Sequence, residues 1–150
     1  MILAFDYGTR RIGVASGDTL TRTARALTTL ERATHVPWTA IDALVQEFEP
    51  ALFVVGLPRN MDGTPTPLTR ASRAFGAELA ARYRRNVALV DERLSSREAE
   101  ALLRAARSSG LKRRRTTHAD VDQVAARILL ERWFENPGAA EPLQGPAAPA

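Results

Sequence analysis

The sequence predicts an α/β protein with a mixed five-stranded sheet, in which three antiparallel strands are followed by parallel ones and helices flank the faces. Three short apolar segments come first, joined by Gly-, Asp- and Thr-containing links that are typical of hairpins. Apolar segments then alternate with segments whose apolar residues recur at helical spacing. The 150 residues are enough for one domain with a single core.

The elements follow from local patterns taken along the chain. Residues 2–7 are apolar apart from Asp6, which is typical of a buried strand. Capping-box spacings at Ser95–Glu98 and Asp120–Gln123 mark two helix starts. The predicted elements are strands at 2–7, 11–16 and 21–29, a helix that has Thr34 as candidate N-cap and ends before Pro50, a strand at 51–55, a helix at 68–85, a strand at 87–90, and helices at 95–107 and 120–135.

The domain is expected to span residues 1–136. From residue 137 onward the chain holds four of its nine prolines, five alanines and one charge. Such a segment cannot bury enough apolar surface to order itself. We therefore expect residues 137–150 to be a disordered tail.

Composition excludes several classes of site. The chain has no cysteine, which rules out disulfides, cysteine-ligated zinc, iron–sulfur clusters and thiol nucleophiles. Only His35 and His118 could supply imidazoles, so a histidine-rich zinc site is excluded too. No apolar run reaches membrane-spanning length, and the N-terminus lacks a signal-peptide pattern. We expect a cytoplasmic protein without a membrane partner.

The charges are unevenly distributed along the chain. Residues 61–118 carry thirteen basic and six acidic residues, whereas residues 119–150 carry two basic and five acidic ones. Nearly all the cations are arginine, which binds phosphate through two parallel hydrogen bonds. The basic segment indicates a polyanionic partner or, alternatively, an arginine-rich surface that is merely solvated.

Acidic residues occur where the pattern is otherwise apolar. Asp6 lies within a buried strand, and the apolar strand at residues 87–90 ends in Asp91 and Glu92. A buried carboxylate costs several kcal/mol unless it is paired or bound to a metal. Because successive strand residues point to opposite faces, only one of the last two acids should face the site.

The last helix carries a third such acid. At 100° per residue, Asp122 falls in the same sector as Val121, Ala125 and Leu129, whereas Asp120 falls on the polar side. Asp120 is explained as an N-cap. Asp122 has no such role at the helix end, and we expect its side chain to face the sheet.

Three carboxylates that converge at one edge of the sheet would repel each other. A hard divalent cation with oxygen ligands, Mg²⁺ or Mn²⁺, would relieve this repulsion. Two such ions roughly 4 Å apart can hold both reacting oxygens of a phosphodiester displacement. With a basic surface nearby, this pattern indicates a nuclease, a hydrolase of phosphodiester bonds.

Four groups of motifs occur in a fixed order within residues 1–136. They are residues 5–9 (FDYGT) with 12–15 (IGVA), 54–58 (VVGLP) with 60–64 (NMDGT), 91–95 (DERLS), and 121–122 (VD) with 125–126 (AA) and 128–130 (ILL). Together they resemble the YqgF/RuvX family. The resemblance implies an RNase H-like fold, related to the RuvC Holliday junction resolvases.

The same resemblance implies the function and the site. The expected activity is 5′-end processing of pre-16S rRNA in ribosome biogenesis, with resolution of Holliday junctions in branched DNA as the alternative. Asp6, Glu92 and Asp122 would be the catalytic metal ligands. The extra acid Asp120 could join or replace Asp122, and Asp91 is a less favoured ligand.

Basic residues next to these motifs are candidates for contact with nucleic acid. Arg10, Arg11 and Arg93 are placed to meet the scissile phosphate, or else form surface salt bridges. The substrate backbone would be held by Lys112, Arg113, Arg114 and Arg115. The partner would be structured RNA or branched DNA, and the protein a monomer or a homodimer.

Other functions remain open at this point. The D-x-G-T turn also occurs in actin-like and sugar-kinase ATPases, but those need a second lobe with a second such motif, which this chain lacks. A binding module without catalysis would keep the fold and the basic surface. A structural domain would leave Asp6 and Asp122 unexplained.

Overall fold

A computed structural model of the chain describes residues 1–60, 62–92 and 118–144. Its elements are, in chain order, β1 (Ile2–Tyr7), β2 (Arg11–Asp18), β3 (Thr23–Glu31), α1 (Trp38–Phe48), β4 (Leu52–Leu57), α2 (Pro67–Tyr83), β5 (Asn86–Asp91), α3 (His118–Glu135), a 3₁₀ turn (Pro137–Ala139) and β6 (Glu141–Leu143). None of the helices in these ranges is long and apolar enough to cross a membrane.

The strands form one mixed sheet in the order β3-β2-β1-β4-β5-β6. The hairpin pairs β1–β2 and β2–β3 are antiparallel, and β1–β4 and β4–β5 are parallel. This confirms the predicted α/β architecture. The predicted number of strands is wrong, because the described residues form six strands rather than five.

Strand β1 lies in the middle of the sheet and is covered on both faces. Its odd-numbered residues Leu3, Phe5 and Tyr7 pack in one core cluster that α1 and α2 also line. Ile2 and Ala4 face the other cluster, which α3 covers. Asp6 has the same parity as Ile2 and Ala4, so strand alternation directs it to the α3 face.

Helix α3 lies unusually close to β2. A Cβ atom added to Gly13 would lie 2.0 Å from the carbonyl oxygen of Asp122, and one on Gly17 would lie 2.6 Å from Leu130 Cδ2. At Gly13 the contact is with the helix backbone, and only glycine permits this approach of helix to strand. The packing fixes the first turns of α3 directly over β2.

The extra strand comes from the segment expected to be disordered. Residues 137–144 form the 3₁₀ turn and β6, which pairs antiparallel with β5 through Glu141, Pro142 and Leu143. Leu143 packs on the core, and Glu141 forms an ion pair with Arg73 at 2.5 Å. The predicted disorder is therefore wrong for these residues, while residues 145–150 lie outside the described ones.

The predicted boundaries need smaller corrections. Helix α1 begins at Trp38 after Pro37 rather than at a Thr34 cap, and α2 begins with a capping box between Thr66 and Thr69. Helix α3 begins at His118, so Asp120 lies in its first turn instead of at the N-cap. The predicted helix at residues 95–107 lies outside the described residues.

Candidate active site

Asp6 lies near the end of β1, on the face that α3 covers. The residue keeps some exposed surface, but protein surrounds its carboxyl group. This burial is the main reason why the pKa of Asp6 is raised. A hydrogen bond with Glu92 acts in the opposite direction, and the nearby charge of Asp122 raises the pKa further.

Glu92 reaches Asp6 by crossing strand β4. In the sheet β4 lies between β1 and β5, so the backbones of Asp6 and Glu92 are two strand spacings apart, about 9–10 Å. The side chain passes over Gly56, where an added Cβ would lie 2.1 Å from Glu92 Oε2. The missing side chain at Gly56 therefore makes the contact between the two acids possible.

Asp6 and Glu92 form a buried pair that is electrically unfavourable when both are ionised. The pKa of Glu92 is raised well above its usual value, first by burial and then by the charge of Asp6 and their hydrogen bond. The cation of Arg132 lowers it in part. Glu92 Oε2 is buried and has no hydrogen-bond partner among the described residues.

Asp122 lies on α3 against β2, as the helical periodicity predicts. Its Oδ2 accepts a hydrogen bond from Arg11 Nε at 2.8 Å. Its charge reaches Asp6, whose pKa it raises. All three predicted acids thus gather on one face of the sheet, at the carboxyl ends of β1 and β5.

The three acids do not share a common centre. Within residues 1–60, 62–92 and 118–144, no group of three or more acidic or histidine side chains is arranged to hold a metal ion. Asp6 and Glu92 contact each other, whereas the carboxylate of Asp122 is bound by Arg11. The pair nevertheless has the character of a cation site, because Glu92 Oε2 is a buried oxygen without a donor among the described residues.

The turn after Asp6 is fixed by a second arginine. Arg32 Nη1 donates to the carbonyl oxygens of Gly8 at 3.2 Å and Thr9 at 2.8 Å, and its guanidinium lies 4.5 Å from the ring centre of Tyr7. Gly8 N donates to Arg11 O at 2.9 Å.

Arg32 and Gly56 are absent from the predicted site. A glycine inside an apolar strand, as at Gly56, was the available signal for one of them.

The two less favoured acids occupy other positions. Asp91 lines a cavity of about 280 Å³ together with Leu57, Leu89 and Glu141, and Leu57 and Leu89 belong to the α1–α2 face. Strand alternation therefore separates Asp91 from Glu92, as predicted.

Asp120 is only 7% exposed, so its predicted place on the polar side of the helix is wrong.

The basic candidates are described only in part. Arg10 is exposed, in the turn next to the site, and Arg11 forms the ion pair with Asp122. Arg93, Lys112, Arg113, Arg114 and Arg115 lie outside the described residues.

Comparison with known sequences gives a consistent result. The RuvX family profile, described as Holliday junction resolvase, matches residues 1–136. A protein of Dechloromonas aromatica named "Putative pre-16S rRNA nuclease" is 42% identical over 144 residues, which cover 95% of this chain and 96% of that protein. A protein of the same name from Yersinia enterocolitica is 47% identical over 135 residues, covering 89% of this chain and 94% of its own.

Comparison with solved structures supports the fold. Thermus thermophilus RuvC in complex with a Holliday junction substrate aligns with a TM-score of 0.54 at 19% identity, covering 95% of this chain and 98% of that one. A second structure of Thermus thermophilus RuvC aligns equally well, at 18% identity. The RuvC-like, RNase H-type architecture expected from the motifs is thereby confirmed.

Proposed function

Because the chain belongs to the RuvX family, whose relatives are named as nucleases, we propose that it hydrolyses phosphodiester bonds with the help of Mg²⁺ or Mn²⁺. The observation that carries the proposal is the buried Asp6–Glu92 pair with Asp122 beside it. A fold has little reason to bury two carboxylates against each other, since each raises the cost of ionising the other. A divalent cation reverses that cost.

The side chains of this site suit a hard cation. Asp6, Glu92 and Asp122 offer only carboxylate oxygens, the ligands that Mg²⁺ and Mn²⁺ prefer. A cation bound there would polarise the phosphate and lower the pKa of an attacking water. The chain's own residues would supply the rest: Asp6 and Glu92 would bind the cation as carboxylates, with any proton they hold passing to solvent, and Arg10 and Arg11, in and after the turn that follows Asp6, would orient a phosphate.

The substrate we favour is the 5′ end of pre-16S rRNA. Support comes from relatives that are 42–47% identical along nearly the whole chain and carry that name. This role would place the protein in the cytoplasm, where ribosomes are assembled. Cleavage of Holliday junctions is the second candidate, favoured by the description of the family. A homodimer would match the two-fold symmetry of a junction, whereas a monomer suffices for an RNA end.

A cleavage assay with Asp6→Asn tests the proposal. Purified protein is incubated with Mg²⁺ or Mn²⁺ and a panel of rRNA-precursor and four-way-junction substrates, and the product ends are mapped. We expect wild-type cleavage that chelator abolishes, and a loss of about 10²-fold or more with Asp6→Asn. Glu47→Gln, which removes one exposed charge from α1, is the control and should cleave normally.

The outcome also separates the alternatives. Cleavage of the RNA but not the junction supports rRNA processing, and the reverse result supports resolution of branched DNA. Tight binding without cleavage by the folded wild type, with either metal, would mean that the chain is a binding module. Full activity of Asp6→Asn or activity in chelator would contradict the proposed site.

A further inference from the structure

Arg11 forms an ion pair with Asp122, the acid whose charge acts on Asp6. Its Nε donates to Asp122 Oδ2 at 2.8 Å, and the two side chains are 30% and 25% exposed. Asp122 in turn acts on Asp6 through its charge. The guanidinium therefore partly neutralises one of the three acids.

The backbone at Asp122 is held by close packing, whereas its side chain is 25% exposed. The carbonyl of Asp122 lies against Gly13, with no room even for a methyl group, so α3 cannot slide on β2 at this point. Within a helix an aspartate side chain has two common χ1 rotamers, and a change between them redirects the carboxylate. Rotation about this one bond would let Asp122 exchange its partner without movement of the helix.

We infer that Arg11 is an exchangeable counter-cation for Asp122. In the metal-free protein it binds the carboxylate; when a divalent cation binds at Asp6 and Glu92, Asp122 turns to that cation and Arg11 is released. The free guanidinium then faces the site and binds a phosphate of the substrate. The exchange rests on the proposed cation site, and its last step rests on the proposed nuclease activity as well.

The charges favour the exchange in both directions. Without metal, ionised Asp122 would face the Asp6–Glu92 pair unneutralised, so a bound guanidinium stabilises it. With metal, a carboxylate gains more from a doubly charged cation than from a partly exposed arginine, whose ion pairs contribute little. Arginine also suits the substrate phosphate that it would bind after release, since its planar guanidinium donates two parallel hydrogen bonds to two phosphate oxygens.

The competing explanation is a permanent ion pair that holds α3 on β2.

Calorimetric titration with Mn²⁺ distinguishes the two explanations. If Arg11 competes with the metal for Asp122, Arg11→Met should bind Mn²⁺ about two- to fivefold more tightly than wild type. Arg25→Met is the matched control, because it removes the same charge from an exposed position. Arg25 lies opposite Ser16 in the strand register. Ser16 is five residues after Arg11 in β2, so Arg25 is about 16 Å from Arg11. Arg25→Met should therefore leave the affinity for Mn²⁺ unchanged.

A double-mutant cycle shows whether the effect passes through Asp122. Asp122→Asn should weaken Mn²⁺ binding, and adding Arg11→Met to it should then give no gain in affinity. The inference would be overturned if folded Arg11→Met bound Mn²⁺ equally well or more weakly than wild type. It would also be overturned if Arg11→Met still raised the affinity for Mn²⁺ in the Asp122→Asn background. If Arg11→Met does not fold, Arg11→Gln serves in the same cycle.

A crystal structure of the wild type with Mn²⁺ gives a second, independent readout. We expect the distance from Arg11 Nε to Asp122 Oδ2 to increase from 2.8 Å to well beyond hydrogen-bonding range in that structure. An intact ion pair beside bound Mn²⁺ would overturn the inference whatever the variants show. Both readouts are independent of cleavage. Tighter Mn²⁺ binding by Arg11→Met, without any cleavage by the wild type, would contradict the proposed nuclease activity. Cleavage by a wild type that keeps the ion pair with Mn²⁺ bound would contradict only the exchange.

Discussion

At Gly56 the missing side chain has a direct consequence for the acidic site. The glycine occupies the middle strand of β1-β4-β5, and Glu92 lies across it to reach Asp6. A glycine in a strand interior normally weakens the strand. Here it lets two acids from non-adjacent strands meet, which no pattern within either strand could indicate.

Gly56→Ala should separate the two acids. The new Cβ would lie 2.1 Å from Glu92 Oε2 and 3.1 Å from Leu129 Cδ2, so the glutamate must leave its position. We expect at least a roughly tenfold loss of Mn²⁺ affinity and of cleavage, because the two carboxylates can then no longer bind one cation together. Calorimetric titration with Mn²⁺ and the cleavage assay measure the two effects.

Gly138→Ala is a suitable control for this prediction. The nearest atom to an added Cβ at Gly138 is Asn136 Oδ1 at 3.8 Å, an ordinary contact. The substitution should change neither Mn²⁺ affinity nor stability. Normal Mn²⁺ binding by Gly56→Ala would show that Glu92 does not need its path across β4.

Among the elements, α1 and α2 are joined by a polar contact at the surface of the aromatic core. Asp42 on α1 accepts from Arg82 Nη2 at 3.1 Å and from the Tyr83 hydroxyl at 2.5 Å. Arg82 also lies 4.9 Å from the ring centre of Trp38. These two partners lower the pKa of Asp42, and burial helps to raise the pKa of Tyr83 to about 12.

This contact should give a pH-dependent part of the stability. Because the pKa of Asp42 is lower in the folded state than its usual 3.8, the contribution is present above that value and disappears as the pH falls through the folded-state pKa. Asp42→Asn should therefore lower the Tm more at neutral pH than at acidic pH, because the contribution fades as the pH falls through the folded-state pKa of Asp42. Glu47→Gln, on the same helix, should give no such difference, and an equal effect of Asp42→Asn at both pH values would contradict the prediction.

Strand β6 closes the edge of the sheet that β5 would otherwise expose. Leu143 packs on the core and lies 3.5 Å from the Cβ position of Gly76, and Glu141 binds Arg73. Removal of residues 137–150 should cost about 1–2 kcal/mol, mainly from the half-buried leucine, and lower the Tm by roughly 2–8 °C. Removal of residues 145–150 alone is the control and should leave the Tm unchanged.

Across the molecule, local sequence patterns predicted most helices and strands, but they did not predict the features that depend on contacts between residues far apart in the sequence. The apolar run of β1 defines that strand fully, and Asp6 stands out within it. Three residues that include a proline are too short to show a period, so β6 was not predictable. Asp120 has the spacing of a cap, yet α3 already starts at His118, which places Asp120 within the first turn. The Asp6–Glu92 contact depends on the strand order, which neither segment encodes alone.

The distribution of charge over the whole chain leads to the last prediction. Residues 112–115 hold four adjacent cations, whose mutual repulsion a polyphosphate partner would relieve. Arg84 and Arg85, by contrast, precede β5 and lie at the end of the sheet opposite to Glu92. If the basic segment holds the substrate backbone, replacing Arg113 and Arg114 with glutamine should weaken RNA binding, while the same change at Arg84 and Arg85 should not.

The dependence of binding on salt provides the quantitative test of this difference. Each phosphate that the protein no longer neutralises reduces the slope of log K against log salt by about 0.7–0.9, so Arg113→Gln with Arg114→Gln should flatten it by roughly 1.4–1.8. Replacing Lys112 and Arg115 as well should bring the change toward about three. Arg84→Gln with Arg85→Gln alters the net charge equally and controls for long-range attraction. Equal slopes for the two double variants would show that net charge, rather than direct binding by residues 112–115, governs the affinity.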